Sequence, residues 1–226
     1  MEIHVITPAQ KDRARLMEVA SCIYPHVTAI HIRQKSWSWQ QVERFVNRLL
    51  DRGIPASKLV LNEHAMLALE MGLGGVHLPE HVAERVSLSP YDREYKYDCK
   101  YNGTGTGLRL RIGRSVHSID SALQAERVDC DYVFYGHVYA TASKPGIPPR
   151  GIAAVQQLCN KLRLPVMAIG GIQPTHIDEL HAAGVAGIAL MSGIFEAAEP
   201  ESQLELYRKQ IANTATTKIR IGSDQK

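Results

Sequence analysis

Eight short β-rich runs alternate with longer helical stretches along the chain, and this rhythm restricts the fold more than any other feature. The runs are EIHVIT (2–7), VTAIHIR (27–33), KLVLN (58–62), GGVHL (74–78), RIGRSV (111–116), DYVFYG (131–136), PVMAIG (165–170) and AGIALM (186–191). Helical patterns lie at 11–24, 39–52, 63–71, 79–88, 119–127, 151–162, 175–183 and 201–212. In the second of these, Trp39, Val42, Phe45, Val46, Leu49 and Leu50 mark one face. Asp120 and Pro174 stand where helix starts favour them, and Gly72 and Gly184 lie just past two helix ends. Strands separated by crossover helices pair in parallel. Eight such units close as a (β/α)8 barrel more naturally than as an open doubly wound sheet. The expected fold is therefore α/β, a single-domain TIM barrel over 1–213.

Two segments fall outside the repeat. SPYDREYKYDCKYNGTGTGLR (89–109) mixes both charge signs with four tyrosines and reads as a surface insertion. Residues 214–226 form a polar C-terminal tail, expected to be poorly ordered. The GTGTG stretch (103–107) follows no strand and opens no helix, so it is not read as a nucleotide cradle.

Composition excludes several function classes. A net charge of +3 from 26 basic and 23 acidic residues is too small for a nucleic-acid-binding face, yet suits a small anionic ligand. No apolar run reaches the roughly 18 residues of a membrane span, so no membrane partner is expected. MEIHVITPAQ lacks the basic-then-apolar pattern of a signal peptide. Cys22, Cys99, Cys130 and Cys159 form no CxxC pair and read as reduced thiols of a cytoplasmic protein.

In such a barrel, chemistry gathers at the C-terminal ends of the strands. Strand two alternates Ala29, His31 and Arg33 with Ile30 and Ile32, so His31 and Arg33 should point toward the barrel mouth. Asn62, His77, Ser115, His117 and His137 stand at the ends of strands three to six. Strands seven and eight end in AIGGI (168–172) and ALMSGI (189–194), where backbone N–H groups at Gly170, Gly171, Ser192 and Gly193 suit a phosphate dianion. The alternative reading is that the glycines only make tight turns. The loop GHVYATASKPGIPPRG (136–151) reads as a flap carrying Thr141, Ser143 and Lys144. His137 is the candidate proton carrier, since imidazole exchanges protons near neutral pH.

Other constellations carry less. His77 and His81 flank Leu78, Pro79 and Glu80, which is not HExxH, and no metal site is expected. Trp37 and Trp39 read as packing at the second helix rather than as a lid. Arg109, Arg111 and Arg114 read as mostly solvated, with Arg114 near the mouth.

The ordered set HIRQK (31–35), GVHLP (75–79), GRSVHS (113–118), GHVYATASKPG (136–146), AIGGI and MSGIF (191–195) resembles the thiamine phosphate synthase superfamily over about residues 3–210. The resemblance is strongest to its TenI-type thiazole tautomerase branch: the synthase shows G-P-V at the sixth strand tip, whereas this chain has Gly136-His137-Val138. The synthase pattern also places a magnesium-holding Asp where Glu63 follows Asn62, a second where Val82 stands, and a pyrimidine-contacting glutamine where His31 stands. Losing one carboxylate to valine removes half of the oxygen-ligand site that a hard cation needs. Lys35, Ser115, Thr141 and Lys144 remain matched.

The resemblance implies isomerisation of a thiazole phosphate to its aromatic tautomer, with no cofactor and no metal. His137 would be catalytic. Arg33, Lys35, Asn62, Ser115, Thr141 and Lys144 would bind substrate, and Gly170, Gly171, Ser192 and Gly193 would hold its phosphate. The partner implied is the small thiazole phosphate, in a homodimer. A non-catalytic binder of that ligand, and a thiamine phosphate synthase, are the alternatives.

Overall fold

The computed structural model describes residues 1–9, 12–81, 110–128 and 130–223, with the side chains of 215–223 excepted. Eight parallel strands form a closed barrel: β1 (Glu2–Ile6), β2 (Ala29–Ile32), β3 (Leu59–Asn62), β4 (Gly75–Leu78), β5 (Arg111–Val116), β6 (Tyr132–Gly136), β7 (Val166–Ile169) and β8 (Gly187–Leu190). The ring closes where β1 pairs with β8, Glu2 against Gly187 through Val5 against Leu190. All eight predicted strands are present, most of them a residue or two shorter than read.

The helices are α1 (Arg13–Ile23), α2 (Trp39–Asp51), α3 (Ala65–Glu70), α4 (Ile119–Arg127), α5 (Gly151–Lys161), α6 (Ile177–Ala182), α7 (Ser192–Phe195) and α8 (Pro200–Ser223). Local chemistry sets their starts. The Asp12 carboxylate accepts from the Arg15 N–H at 3.0 Å, and Ser38 and Gln41 close a capping box on α2. α4 is capped by Ser118 with Ser121, and Asp120 lies in its first turn, where a helix start favours an acidic side chain. Gly72 and Gly184, at φ +60° and +89°, end α3 and α6 in the left-handed conformation that glycine adopts at little cost.

Some expectations change. The helix read over 201–212 runs on as α8, so residues 214–223 of the expected tail continue it as helical backbone. The helix over 79–88, apart from residues 79–81, and the insertion at 89–109 lie outside the described residues, as do Val82, Cys99 and Arg109. Trp37 packs against the core, edge to face with Phe45 at 5.2 Å, whereas Trp39 is 55% exposed at the start of α2. Arg111 and Arg114 are not solvated. Arg111 is half-buried and paired with Glu2, and Arg114 is 7% exposed and donates to the Glu80 carbonyl at 2.9 Å.

Two apolar layers result from the strand period of two. Outward residues such as Val5, Ile30, Ile32, Leu61, Val76, Val133 and Ile188 join the helices in one large core. Inward residues Ile6, Tyr132, Phe134, Met167 and Ala189 fill the barrel in a smaller cluster. Gly113 makes room for it, since a Cβ there would lie 2.1 Å from the Tyr132 ring. Polar side chains share that interior: His4 at 1% exposure, His31 at 0% and His77 at 2%.

Candidate active site at the barrel mouth

His137 sits at the β6 tip, 5% exposed. Its backbone is laced to the β7 tip: the Val138 N–H donates to the Ile169 carbonyl at 2.9 Å and the Tyr139 N–H to that of Gly170 at 3.0 Å. From the other side Arg150 holds the same turn, its main-chain N–H on the His137 carbonyl at 2.9 Å and its Nε on the Gly136 carbonyl at 3.0 Å. The imidazole Nε2 lies 3.1 Å from the Ile147 carbonyl oxygen. A carbonyl offers only lone pairs, so Nε2 carries the hydrogen and Nδ1 is the basic atom of the neutral ring.

The two glycines at the β7 tip are required by this packing. At φ +96° and +66°, Gly170 and Gly171 adopt backbone that side chains disfavour. A Cβ on Gly170 would meet the His137 Cβ at 2.3 Å, and one on Gly171 would meet the Ala140 carbonyl at 2.3 Å. At the β8 tip, Ser192 and Gly193 form the first turn of α7, where backbone N–H groups have no intrahelical acceptor. A Cβ on Gly193 would meet nothing nearer than the Tyr207 hydroxyl at 3.7 Å. That hydroxyl donates to the Ile172 carbonyl at 2.9 Å, so Tyr207 of α8 connects the β7 and β8 tips.

The anion-binding candidates divide by exposure. Thr141 and Lys144 share a tight turn, the Lys144 N–H donating to the Thr141 carbonyl at 3.1 Å, and both are half-buried in the His137 loop. Arg33 is half-buried above β2, its N–H on the Thr7 hydroxyl at 2.9 Å, and Lys35 is exposed. His117 is also exposed and is tied to the Glu80 carboxylate through its main-chain N–H and its ring. Burial acts to raise the Glu80 carboxyl, but hydrogen bonds from Ser121 and His117 outweigh it and hold the group below the usual range.

A second polar group lies deeper in the barrel. His31, read as pointing into the mouth, is instead sealed in the interior, its Nε2 2.9 Å from His4 Nδ1. His4 Nε2 in turn lies 2.9 Å from Glu2 Oε2, and Arg111 donates to both Glu2 oxygens at 2.7 and 3.0 Å. His77 Nε2 is 2.9 Å from the Ser115 hydroxyl, so that candidate binder already has a partner. Burial holds His77 at about 3 and drives His4 and His31 below the usual histidine range, with His4 and His77 adding to the effect on His31. Glu2 is held at about 2 by the hydrogen bond from His4 and then by Arg111, against the opposing effect of burial. Glu2, His4, Arg150 and Tyr207 are site residues that sequence reading missed. The alternation Glu2, His4, Ile6 in strand one carried a signal for the first two.

Among the described residues no group of three or more His, Cys, Asp or Glu side chains is arranged to hold a metal ion. Glu63, at the position matched to a magnesium carboxylate, is exposed and has φ +75°. No described helix is long and apolar enough to cross a membrane.

Comparison with known proteins places these features in a family. A thiamine-phosphate synthase of Chlorobium phaeobacteroides is 34% identical over 176 residues, covering 76% of this chain and 78% of that protein. One from Xanthomonas campestris is 30% identical over 211 residues, covering 91% and 93%. Among solved structures, a thiamine phosphate pyrophosphorylase from Pyrococcus furiosus shares the fold with a TM-score of 0.70 at 23% identity, covering 94% of this chain and 96% of that one. The family model described as thiamine monophosphate synthase matches residues 3–194, and the chain belongs to that family of enzymes.

Proposed function

We propose that this family member is a thiazole tautomerase, an isomerase acting on the thiazole phosphate precursor of thiamine. The observation that carries the reading is His137: its Nε2–H is committed to the Ile147 carbonyl, which leaves Nδ1 as a base. The substrate ring bears a carboxylate, an ethyl phosphate arm and an exocyclic double bond. His137 takes the proton from the ring carbon next to the carboxylate, and the electron pair released moves into the ring. The exocyclic carbon then takes a proton back from the imidazole, which returns to its starting form. Atoms and charge balance, and the aromatic ring formed drives the step. A positioned acid–base group contributes about 100- to 10,000-fold.

Arg33 and Lys144 anchor the carboxylate in this reading, with Lys35, Asn62, Ser115 and Thr141 completing the pocket. The N–H groups of Gly171, Ser192 and Gly193, beside Gly170, receive the phosphate. The ligand is a small thiazole phosphate, and the unit of function is a homodimer.

The names of the relatives favour a second reading, a thiamine-phosphate synthase joining the thiazole phosphate to an activated pyrimidine. Its magnesium would need a set of hard oxygen ligands. Of the two carboxylates that pattern would supply, Val82 replaces one, and Glu63 alone is left to offer oxygen ligands. One pair of assays separates the readings. Conversion of the non-aromatic thiazole above its spontaneous rate, with no pyrophosphate released from the pyrimidine diphosphate, supports the tautomerase. Pyrophosphate release supports the synthase. Saturable thiazole phosphate binding with neither activity leaves a binder.

A further inference from the structure

The barrel interior holds a chain of hydrogen bonds whose direction can be read from one end. Arg111 and Glu2 form a two-pronged ion pair, so the Glu2 carboxylate is ionised and can only accept. His4 Nε2 must therefore carry the hydrogen that meets Glu2. A neutral His4 then offers a lone pair at Nδ1, and His31 Nε2 must donate to it. A neutral His31 is left with a lone pair at Nδ1. That atom is buried and has no hydrogen-bond partner, and the same holds for Oδ1 of Asn62 on the neighbouring strand β3. As placed, the Asn62 side chain faces the His31 ring with its oxygen, a contact that by itself favours a proton on the ring, and with Nε2 committed to His4 the nitrogen that remains for it is Nδ1. Two acceptors cannot bond each other. A half-turn of the Asn62 amide about its Cβ–Cγ bond exchanges oxygen for nitrogen and supplies the missing donor.

We propose that Glu2, acting through His4 and His31, is a positioning residue for Asn62: it makes His31 Nδ1 a standing acceptor, holds the Asn62 N–H on it, and leaves Asn62 Oδ1 to receive a ligand's N–H or O–H. This end of the mouth then takes a hydrogen-bond donor and turns away carboxylate and phosphate oxygens. Burial of both rings, which disfavours their charged forms, supports the assignment. The relay rests on the proposed function only for placing Asn62 among the ligand-binding residues.

The test uses the full chain labelled with 15N at histidine and asparagine, without ligand, in long-range proton–nitrogen spectra. His4 and His31 are expected to be neutral, with the proton on Nε2, from about pH 8 to about pH 5, a range in which exposed histidines titrate. One Asn62 amide proton is expected to exchange slowly. In Glu2→Gln, whose amide can donate as well as accept, a second His31 form with a proton on Nδ1 should appear. Asn62→Asp, at the other end of the chain, tests the same point should Glu2→Gln not fold: its carboxylate should draw a proton onto His31 Nδ1. A proton on His31 Nδ1 in the unsubstituted protein, an imidazolium at about pH 6, or His31 signals unchanged in both folded variants would overturn the relay. These spectra need no turnover, so a failed tautomerase assay leaves the relay standing, and a reversed His31 leaves the tautomerase standing.

Discussion

His137 Nε2 and the Ile147 carbonyl oxygen stand 3.1 Å apart, ten residues apart in one loop. The contact orients the imidazole and decides which of its nitrogens is basic. Replacing His137 by Asn keeps a group that can donate to the carbonyl but removes the base. Tautomer turnover should fall by about 100- to 10,000-fold with substrate affinity little changed. Single-turnover kinetics on the non-aromatic thiazole measure both, and an unchanged rate would remove His137 from the chemistry.

Glycine substitutions separate two roles at the proposed anion seat. Gly170→Ala and Gly171→Ala each combine a positive φ with an overlap at 2.3 Å, one against a side-chain atom of His137 and the other against a backbone carbonyl. Each should cost about 1–3 kcal/mol of stability and lower the midpoint of thermal unfolding. Gly193→Ala meets only open space out to 3.7 Å and should leave the unfolding midpoint within about 2 °C. If the α7 turn receives phosphate, the same methyl group should weaken inorganic phosphate binding. Equal stability loss in all three variants would show that the glycines at both tips serve packing alone.

Acid should destabilise the fold well above the carboxylate range. His77 is held at about 3 by burial, and His4 and His31 are lowered in the same sense. The unfolded chain binds protons on these rings below about pH 6.5 while the native state does not. Their contribution is therefore complete above that pH and is lost as pH falls toward about 3. Each ring adds up to about 1.4 kcal/mol per pH unit in that window. Urea midpoints between pH 7 and 4 report the slope, and His77→Gln should flatten it. Glu2, depressed to about 2, adds a further loss below the usual carboxylate pKa.

Tyr207→Phe removes the buried hydroxyl that meets the Ile172 carbonyl at 2.9 Å. A carbonyl left without its donor costs about 1–3 kcal/mol. Because Tyr207 connects the β7 and β8 tips, KM should rise more than kcat falls. A variant with lowered stability and an unchanged KM would separate Tyr207 from the proposed anion seat.

The barrel was legible in the sequence because each strand–helix unit announces itself locally, through β-branched runs, caps and glycine stops. The mouth was legible in outline for the same reason, since strand ends are sequence positions. Depth within the barrel was not. His31 and Arg33 share one side of a strand, yet His31 is sealed while Arg33 reaches the surface, and only the stagger of neighbouring strands separates them. Arg111 looked solvated because its partner Glu2 lies 109 residues away, on a strand that does not adjoin its own. Tyr207 gave no local sign, because its role depends on how α8 lies across α6 and α7.

The bond from Tyr207 to Ile172 has a consequence for how the molecule is made. A chain leaves the ribosome from its N-terminus, and the barrel ring cannot close until β8 has emerged to pair with β1. Tyr207 follows β8 by a further stretch that includes α7. His137 and its loop can therefore pair with the β7 tip on the nascent chain, while the proposed anion seat stays unfinished until the first turns of α8 are free.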